Sequence, residues 1–287
     1  SDGAAADIIA VGTVCNGDRQ LLEEGRQFGT TLQAPLLEGQ LAIQVADEYL
    51  TTGSVENFLN FTPNPKVRFN EWEAFTLEGF DGNTYSMDSL CTWGSSDAGA
   101  AEPVETEEEA VEPGSKGTII AFTPARSERY VNGLIQGLAN EAEAAGYEIT
   151  ILENEFNQAQ QDEQVQQQLA IGAEPDIWIW WPAEGAAGLG SLRDLAATGI
   201  PVLQINQLPS ADAEEFVIAY AGPDDALRAR NAGEMMVEAR DAWVAAGKEL
   251  SSDGGNAIAV TYPVAYGGYP LSINAFMEGI NGSSIEV

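Results

Sequence analysis

From residue 117 onward, short apolar runs alternate with longer amphipathic segments, and this alternation constrains the fold more than any other feature. The first pair is a predicted strand over 118–122 and a predicted helix over 127–145, which Gly146 ends. Further pairs are predicted by the same pattern, with strands at 148–152, 177–181, 200–205, 216–221 and 257–261 and helices at 157–171, 189–197, 226–247 and 271–280. Strands separated by helices favour β-α units on a parallel sheet, so the predicted fold class is α/β.

The region before residue 94 repeats the pattern in shorter form. Strands are predicted at 8–14 and 30–33 and helices at 20–28 and 36–50, followed by an aromatic-rich tail suited to crossing segments and a surface hairpin. Segment 94–116 is rich in Ser, Ala, Pro and Glu and has too little apolar surface to fold. We therefore divide the chain into a block 1–93, an acidic flexible linker 94–116 and a block 117–287. A role for the linker as an acidic partner-binding tail is the alternative, although such charge runs are usually only solvated.

Composition argues against several classes of function. The chain has 12 Lys and Arg against 45 Asp and Glu, and its net charge of -33 repels nucleic acid phosphates and anionic membranes. It contains no histidine, which removes the commonest general base and the usual Ser-His-Asp arrangement. The missing histidine therefore argues against an enzyme. No acidic cluster has calcium-loop spacing, so we expect no metal site, and we expect no cofactor. No run of 18 apolar residues predicts a transmembrane segment, and the first residues lack the features of a signal peptide.

The two cysteines, Cys15 and Cys91, leave two alternatives open. They are too few and too far apart in sequence for a thiolate zinc site. They form either one disulfide, as in an oxidising extracytoplasmic compartment, or two unpaired thiols.

Two long stretches of sequence carry a resemblance to a known family. The run GTIIAFTPARSERYVNGLIQGLANEAEAAGYEITI, with PDIWIWWPAEGAA and GIPVLQINQ after it, resembles the N-terminal lobe of type I periplasmic sugar-binding proteins. These are the ribose-binding-protein-like substrate-binding proteins of ABC transporters. The run DIIAVGTVCNGDRQLLEEGRQFGTTLQ and the helix after it resemble the C-terminal third of the same family. The two blocks stand in inverted order, so the sequence reads as a circular permutation that lacks one β-α-β-α stretch of the second lobe.

The resemblance implies two doubly wound parallel-sheet lobes that are joined by a multi-strand hinge, with the second lobe incomplete. Residues 117–221 would form one lobe together with 34–60. Residues 222–287 would begin the other, together with 1–33 and the tail to 93. In this family, ligand binds between the carboxyl ends of the strands of the two lobes.

The implied function is that of an extracytoplasmic receptor of an ABC importer, which binds a small carbohydrate and delivers it to a membrane permease. It would work as a monomer in the periplasm or at the cell surface. Because the acidic linker resembles a lipoprotein tether, the unpermuted parent would be lipid-tethered. A sugar or autoinducer sensing receptor of the same fold, or a non-binding permuted remnant, is the alternative. A sugar-responsive transcription factor would need a basic helix-turn-helix, and an α/β enzyme a nucleophile elbow, and neither is found.

A sugar presents hydroxyls and apolar ring faces, so its site needs polar side chains and aromatic plates. The loop after the first strand of the 117–287 block matches the family loop that supplies both. Its candidates are Arg126, Ser127, Arg129 and Tyr130. In the alternative interpretation Ser127 only caps the helix, the arginines pair with Glu128 or solvent, and Tyr130 belongs to the core.

Trp180 and Trp181 end the strand predicted at 177–181, at the edge where ligands bind. Because side chains alternate along a strand, only one of the two should face the ligand. Asn206 and Gln207 follow another predicted strand and are candidates, although this pair is uncharged where the family often carries Asp and Arg. Gln33 is a candidate because it aligns with a family glutamine that hydrogen-bonds ligand. The last candidates are Asn16 and Asp18, for which turn formation is the alternative, and Tyr266 in a glycine-rich loop.

Overall fold

The computed structural model describes residues 9–13, 19–92, 114–250, 252, 254–260 and 269–287. The chain divides into two compact units. The smaller unit comprises Ser1–Ala34, Pro63–Phe75 and Asp224–Val287, and the larger unit comprises Pro35–Thr62 and Thr76–Pro223. Each unit is therefore assembled from segments that are distant in sequence, as the resemblance implies. The tail from Thr76 onward lies in the larger unit, and not in the other lobe as expected.

The secondary structure alternates between strands and helices over most of the described chain. Its elements, in chain order, are β1 (Ala10–Gly12), α1 (Arg19–Glu23), β2 (Gln27–Thr31), α2 (Pro35–Thr52), β3 (Leu59–Thr62), β4 (Lys66–Arg68), β5 (Thr76–Glu78), β6 (Thr84–Ser86), α3 (Met87–Leu90), β7 (Gly117–Pro124), α4 (Arg129–Ala145), β8 (Tyr147–Asn154), α5 (Gln158–Ala170), β9 (Ile177–Trp180), α6 (Leu189–Ala196), β10 (Val202–Ile205), β11 (Ala219–Pro223), α7 (Asp225–Ala245) and α8 (Tyr269–Gly279).

The larger unit is built on a six-stranded sheet with the order β3-β11-β10-β9-β7-β8. Every neighbouring pair in this sheet is parallel. From β7 the chain moves outward to β8 and then returns past β7 to β9, so the strand order reverses between β7 and β9. Ligands of open parallel sheets bind beside such a reversal, at the carboxyl ends of the strands. The predicted α/β class with doubly wound parallel strands is confirmed.

Helices cover both faces of this sheet, which explains why its strands are apolar throughout. Along the apolar run of β9, Ile177 and Ile179 pack with residues of α2 and α4, as does Trp181 just beyond the strand. Trp178 and Trp180 point to the opposite face, where leucines of α6 cover them. The alternation predicted for the tryptophan pair therefore holds.

The close packing of α2 against α4 depends on glycines at their contact. A Cβ added to Gly39 would lie 2.3 Å from the carbonyl oxygen of Leu134, and one added to Gly137 would lie 2.2 Å from that of Leu36. Any larger residue at either position would push the two helices apart. Helix α4 ends as expected at Gly146, which adopts a left-handed φ of 87° and closes the C-cap.

The smaller unit has a three-stranded sheet in which β2 pairs parallel with β1 and antiparallel with β4. The helix predicted over 20–28 ends at Glu23, because the chain turns at Gly25 and begins β2 at Gln27. The strand predicted over 257–261 is not formed in the described part, 257–260. The residue before this run, Asn256, makes a single parallel bridge with Glu286. A run with one bridge cannot build a ladder, whatever its sequence favours.

Two further boundaries differ from the prediction in the larger unit. The strand expected at 216–221 begins at Ala219, because Glu214–Phe216 form a 3-10 turn before it. The expected surface hairpin is present as the antiparallel pair β5 and β6. Within the described ranges, no helix combines the length and apolar character that a membrane crossing requires.

Candidate functional site

Three polar side chains meet at the carboxyl end of the large sheet. Tyr130 lies in the first turn of α4, the helix that follows β7, Asn206 follows β10, and Glu38 comes from the first turn of α2. The hydroxyl of Tyr130 donates to one carboxylate oxygen of Glu38, and Asn206 Nδ2 donates to the other at 2.9 Å. Asn206 Nδ2 also lies 3.0 Å from the Tyr130 hydroxyl. This buried carboxylate therefore fixes the orientation of both candidate ligand-binding side chains.

Asn206 can reach this position because its backbone is left-handed, with a φ of 62°. Asparagine tolerates this conformation better than most residues. Its carbonyl accepts a hydrogen bond from the Tyr220 hydroxyl at 3.0 Å, which holds the turn at the end of β10. The sequence of this turn is therefore matched to an unusual backbone conformation at the edge where ligands bind.

An aromatic group stands next to the polar triad. The ring of Trp181 meets that of Tyr130 edge to face, with centroids 6.2 Å apart. Trp181 also meets Phe156, with centroids 6.4 Å apart, again edge to face. Phe156 is 47% exposed and has a positive φ of 52°, a combination that is costly for a bulky apolar residue. Exposed and strained aromatic side chains at such an edge are typical of ligand contacts.

Glutamines of α5 hold the loop after β9 in place. Gln161 Nε2 donates to the carbonyl of Trp181 at 2.8 Å, and Gln161 Oε1 accepts from the amide of Ala183 at 2.9 Å. Gln158 Oε1 accepts in the same way from the amide of Glu184 at 3.0 Å. The backbone that carries Trp181 is thereby fixed from two positions one turn apart.

The loop after β7 is tied to β8 through its arginine. Arg126 donates from its backbone amide and from Nε to Glu153, at 2.8 and 2.6 Å. Burial raises the pKa of Glu153, but the hydrogen bonds from Arg126 outweigh it and hold that pKa below its usual value. Arg126 is thus used to shape the loop.

Two polar atoms near this edge lack a hydrogen-bond partner among the described residues. They are the indole Nε1 of Trp181, a donor, and Oδ1 of Asn154, an acceptor at the end of β8. Buried polar atoms are rarely left unpaired without a reason. They lie at the carboxyl ends of β9 and β8, the two strands that flank β7. A ligand hydroxyl could accept from the indole or donate to the amide oxygen.

The structure brings three of the predicted site residues together, Tyr130, Trp181 and Asn206. Trp180 is 1% exposed and lies in the core of the opposite face, so it does not belong to this group. Ser127 and Arg129 are exposed, and the cap of α4 is Glu128, not Ser127 as the alternative held. Gln207 is half-buried on the same loop as Asn206, where its carbonyl accepts from Gln204.

The remaining candidates fall outside this edge or outside the described residues. Gln33 is buried in the smaller unit. Asn16, Asp18, Tyr266 and Cys15 lie outside the described residues. Cys91 is buried in the larger unit, and the predicted pairing of Cys15 with Cys91 stays a prediction.

Sequence reasoning missed Glu38, Phe156, Asn154 and the α5 glutamines. A signal for Glu38 was present, because a single carboxylate inside the apolar run LLEGQLAI must be either exposed or specifically bonded. Phe156 gave no comparable signal, since its exposure and its positive φ depend on how β8 meets α5.

Comparison with known proteins places part of the chain in a family. Residues 119–248 match the periplasmic binding protein domain family. None of the curated proteins compared with this sequence matches it.

Several solved structures are similar to this chain. The fructose-binding periplasmic domain of a hybrid two-component system is 18% identical over 59% of this chain and 52% of its own, with a TM-score of 0.48. An ABC transporter solute-binding protein from Mycobacterium smegmatis with bound glycerol is 17% identical over 59% and 54%, with a TM-score of 0.48. One from Agrobacterium vitis with bound D-fucose is 21% identical over 59% and 56%, with a TM-score of 0.44.

The match spans only about half the length of each of these structures. At this level of similarity they carry no argument about the ligand of this chain, and the assignment depends on the family match. The matched segment contains nearly all of five of the six strands of the parallel sheet, and with them Tyr130, Trp181 and Asn206. Residues 119–248 match the periplasmic binding protein domain family, and this match confirms the resemblance seen in the sequence.

Proposed function

We propose that this protein is an extracytoplasmic solute-binding protein, and that it binds a small carbohydrate at the edge of the larger unit formed by Tyr130, Trp181 and Asn206. The observation that carries the proposal is the edge-to-face pair of Tyr130 and Trp181, set beside an anchored amide at the reversal point of a parallel sheet. A sugar ring offers an apolar face for such aromatic side chains and hydroxyls for such polar atoms.

The charges at this edge favour a neutral ligand. The Glu38 carboxylate already accepts from Tyr130 and Asn206, and Arg126 is paired with Glu153. An anionic ligand would also approach a chain with a net charge of -33, which opposes association. A neutral polyhydroxylated compound needs no charged partner at this edge and is not repelled by the net negative charge.

We propose further that the bound sugar is delivered to the permease of an ABC importer, in the periplasm or at the cell surface. The periplasmic binding protein domain supports this location and role. The net charge of -33 is compatible with a freely diffusing receptor.

The test is a calorimetric titration of the full chain with pentoses, hexoses and sugar alcohols. We expect saturable binding by at least one compound at micromolar or tighter affinity. The variant Asn206→Ala should weaken it at least tenfold, equivalent to about 1.4 kcal/mol. Glu143→Ala, an exposed position in the last turn of α4, serves as the control and should leave the affinity unchanged.

The proposal fails if a cooperatively folded chain binds none of these compounds. It also fails if the chain binds one of them but Asn206→Ala and Glu143→Ala bind it equally well, because the ligand would then lie elsewhere.

A further inference from the structure

The acidic charge of the chain is divided unevenly between its two units. Among the described residues, the larger unit has 22 Asp and Glu against 4 Lys and Arg, a net charge of -18. The described residues of the smaller unit have 12 Asp and Glu against 8 Lys and Arg, a net charge of -4. The larger unit therefore carries most of the net negative charge of the described chain.

In the smaller unit, basic side chains form ion pairs with acidic ones. Lys66 lies 3.0 Å from carboxylate oxygens of both Glu234 and Glu238. Arg230 lies 2.7 Å from a carboxylate oxygen of Glu278. Attraction between opposite charges therefore offsets much of the repulsion in this unit.

The larger unit has too few basic residues for such pairing. Lys116 pairs with Asp47 at 2.9 Å, and Arg126 pairs with Glu153. Even if each of the four basic residues neutralised one carboxylate, 18 carboxylates of the described unit would have no basic partner within it. A net charge so far from zero destabilises a compact state through self-repulsion.

Glu141 of α4 shows this repulsion within the folded unit. Burial raises the pKa of its carboxyl, and the carboxylates of Asp81 and Asp47 raise it further, although a hydrogen bond from Gln44 at 3.2 Å opposes the shift. Asp81 lies in the turn between β5 and β6, and Asp47 lies on α2. Carboxylates from three different elements are therefore close enough to disfavour one another's charge.

Salt controls how far such repulsion reaches. Opposite sides of a unit of about 150 residues lie roughly 30 Å apart. The screening length is about 30 Å at 0.01 M monovalent salt and about 3 Å at 1 M. Carboxylates therefore repel one another across the whole unit at low salt, whereas only adjacent ones do so at the higher concentration.

We propose that the folding of the larger unit depends on salt, so that the unit is stable at about 1 M monovalent salt and unfolds readily at low ionic strength. Cations gathered around the exposed carboxylates act together, and no single binding site is required. The candidate sugar site with Tyr130, Trp181 and Asn206 lies in this unit, so the salt of the surroundings would set the fraction of chains that can bind ligand. The salt dependence itself does not require that the unit binds a sugar.

The test compares amide hydrogen exchange of the full chain, without ligand, in about 0.01, 0.1 and 1 M NaCl. We expect the amides of β7 and β9, in the centre of the large sheet, to exchange at least tenfold faster at the lowest salt concentration than at the highest. The amides of β2 and α7, in the smaller unit, should change less, because the charges of that unit are more nearly balanced.

A variant with reduced charge tests whether repulsion is the cause. Six exposed glutamates of the larger unit are replaced together by glutamine, namely Glu56, Glu78, Glu143, Glu163, Glu174 and Glu214. The net charge of the described unit then changes from -18 to -12. Repulsion within a unit grows with the square of its net charge, so a hundredfold effect of salt on exchange in the parent should become about tenfold in the variant.

The matched control carries aspartate at the same six positions. It keeps the charge of the parent and should keep the full salt response. Salt also strengthens apolar burial in any protein, but the two variants share that effect, so the difference between them reports the charge alone.

The proposal is wrong if exchange in β7 and β9 does not depend on salt, or if the two units respond equally. It is also wrong if the glutamine and aspartate variants show the same salt response. No sugar is present in these measurements, so the failure of this proposal and the failure of the sugar proposal are distinguished.

Discussion

Glu38 is the residue on which the geometry of the candidate site depends most. Its side chain is 1% exposed, yet it carries a carboxylate, which is tolerated because Tyr130 and Asn206 both donate to it. These are also the two polar side chains that we assign to ligand binding. The same hydrogen bonds therefore stabilise the fold and hold the site in its binding geometry before ligand arrives.

Replacing Glu38 with Ala should destabilise the chain by about 2–5 kcal/mol, because two partly buried donors would lose their acceptor. The measurement is the free energy of unfolding in urea. Glu143→Ala, an exposed carboxylate on α4, is the control and should change stability by less than about 0.5 kcal/mol. Equal effects of the two variants would contradict the role given to Glu38.

At this scale the sequence predicted some residues and could not predict others. Tyr130, Trp181 and Asn206 were found because each follows a recognisable apolar strand. The burial of Trp180 was half predicted, since alternation along the strand requires one tryptophan of the pair to face each side. Phe156 could not be predicted, because a positive φ at a phenylalanine is imposed by its surroundings and not by its own preference.

Helix α5 shows how an element can position a loop through side chains alone. Its composition is dominated by glutamine, and four of these residues bond to backbone of β8 or of neighbouring loops, namely Gln158, Gln160, Gln161 and Gln164. An amide side chain can donate and accept at once, so Gln161 satisfies both a carbonyl and an N–H of the loop after β9. The sequence predicted this helix and its approximate ends, but not the partners of its glutamines.

The variant Gln161→Leu should cost about 2–4 kcal/mol, because the Trp181 carbonyl and the Ala183 amide would both lose their partner in a buried setting. Gln167→Leu, at an exposed position of the same helix, is the matched control and should be close to neutral. The free energy of unfolding of both variants, measured by chemical denaturation, shows whether the hydrogen bonds of Gln161 to the loop after β9 stabilise the chain. Equal stabilities of Gln161→Leu and Gln167→Leu would show that the loop after β9 does not depend on the hydrogen bonds of Gln161.

At the scale of the whole molecule, the resemblance predicted the assembly of two units from interleaved segments, and apolar periodicity predicted the parallel sheet. Neither predicted that the run 257–260 stays outside a ladder. Whether a strand forms depends on a partner at the right edge, and periodicity in one segment contains no information about its partner. The tail from Thr76 to Ser86 was assigned to the wrong unit for a related reason. The sequence of a short hairpin does not determine which of the two units it packs against.

Charge makes the smaller unit sensitive to acid. Glu238 accepts from Lys66 at 3.0 Å and from Arg68 at 2.8 Å. Burial raises the pKa of Glu238, but these two ion pairs outweigh it and hold the pKa below its usual value. A carboxylate whose pKa is lowered by folding stabilises the native state above its unfolded pKa of about 4.3, and this contribution is lost as the pH falls through the folded value.

We therefore expect Glu238→Gln to be less stable than the parent chain at pH 7, and we expect this difference to shrink as the pH falls below the unfolded pKa of about 4.3. Urea unfolding at pH 7 and at successively lower pH values measures the difference. Glu249→Gln, on an exposed carboxylate beyond α7, should show no such convergence. A gap between Glu238→Gln and the parent that widens in acid would contradict the sign of the pKa shift.

The central claim is that the larger unit binds a sugar beside Trp181, and tryptophan fluorescence tests it most directly. The chain has six tryptophans, so the titration is run on the parent and on Trp181→Phe and Trp180→Phe. We predict a saturable change with one sugar in the parent and in Trp180→Phe, whose altered residue lies in the opposite core, and loss of that change in Trp181→Phe. If Trp181→Phe remains folded and gives the full ligand-dependent change, the site does not lie where we place it.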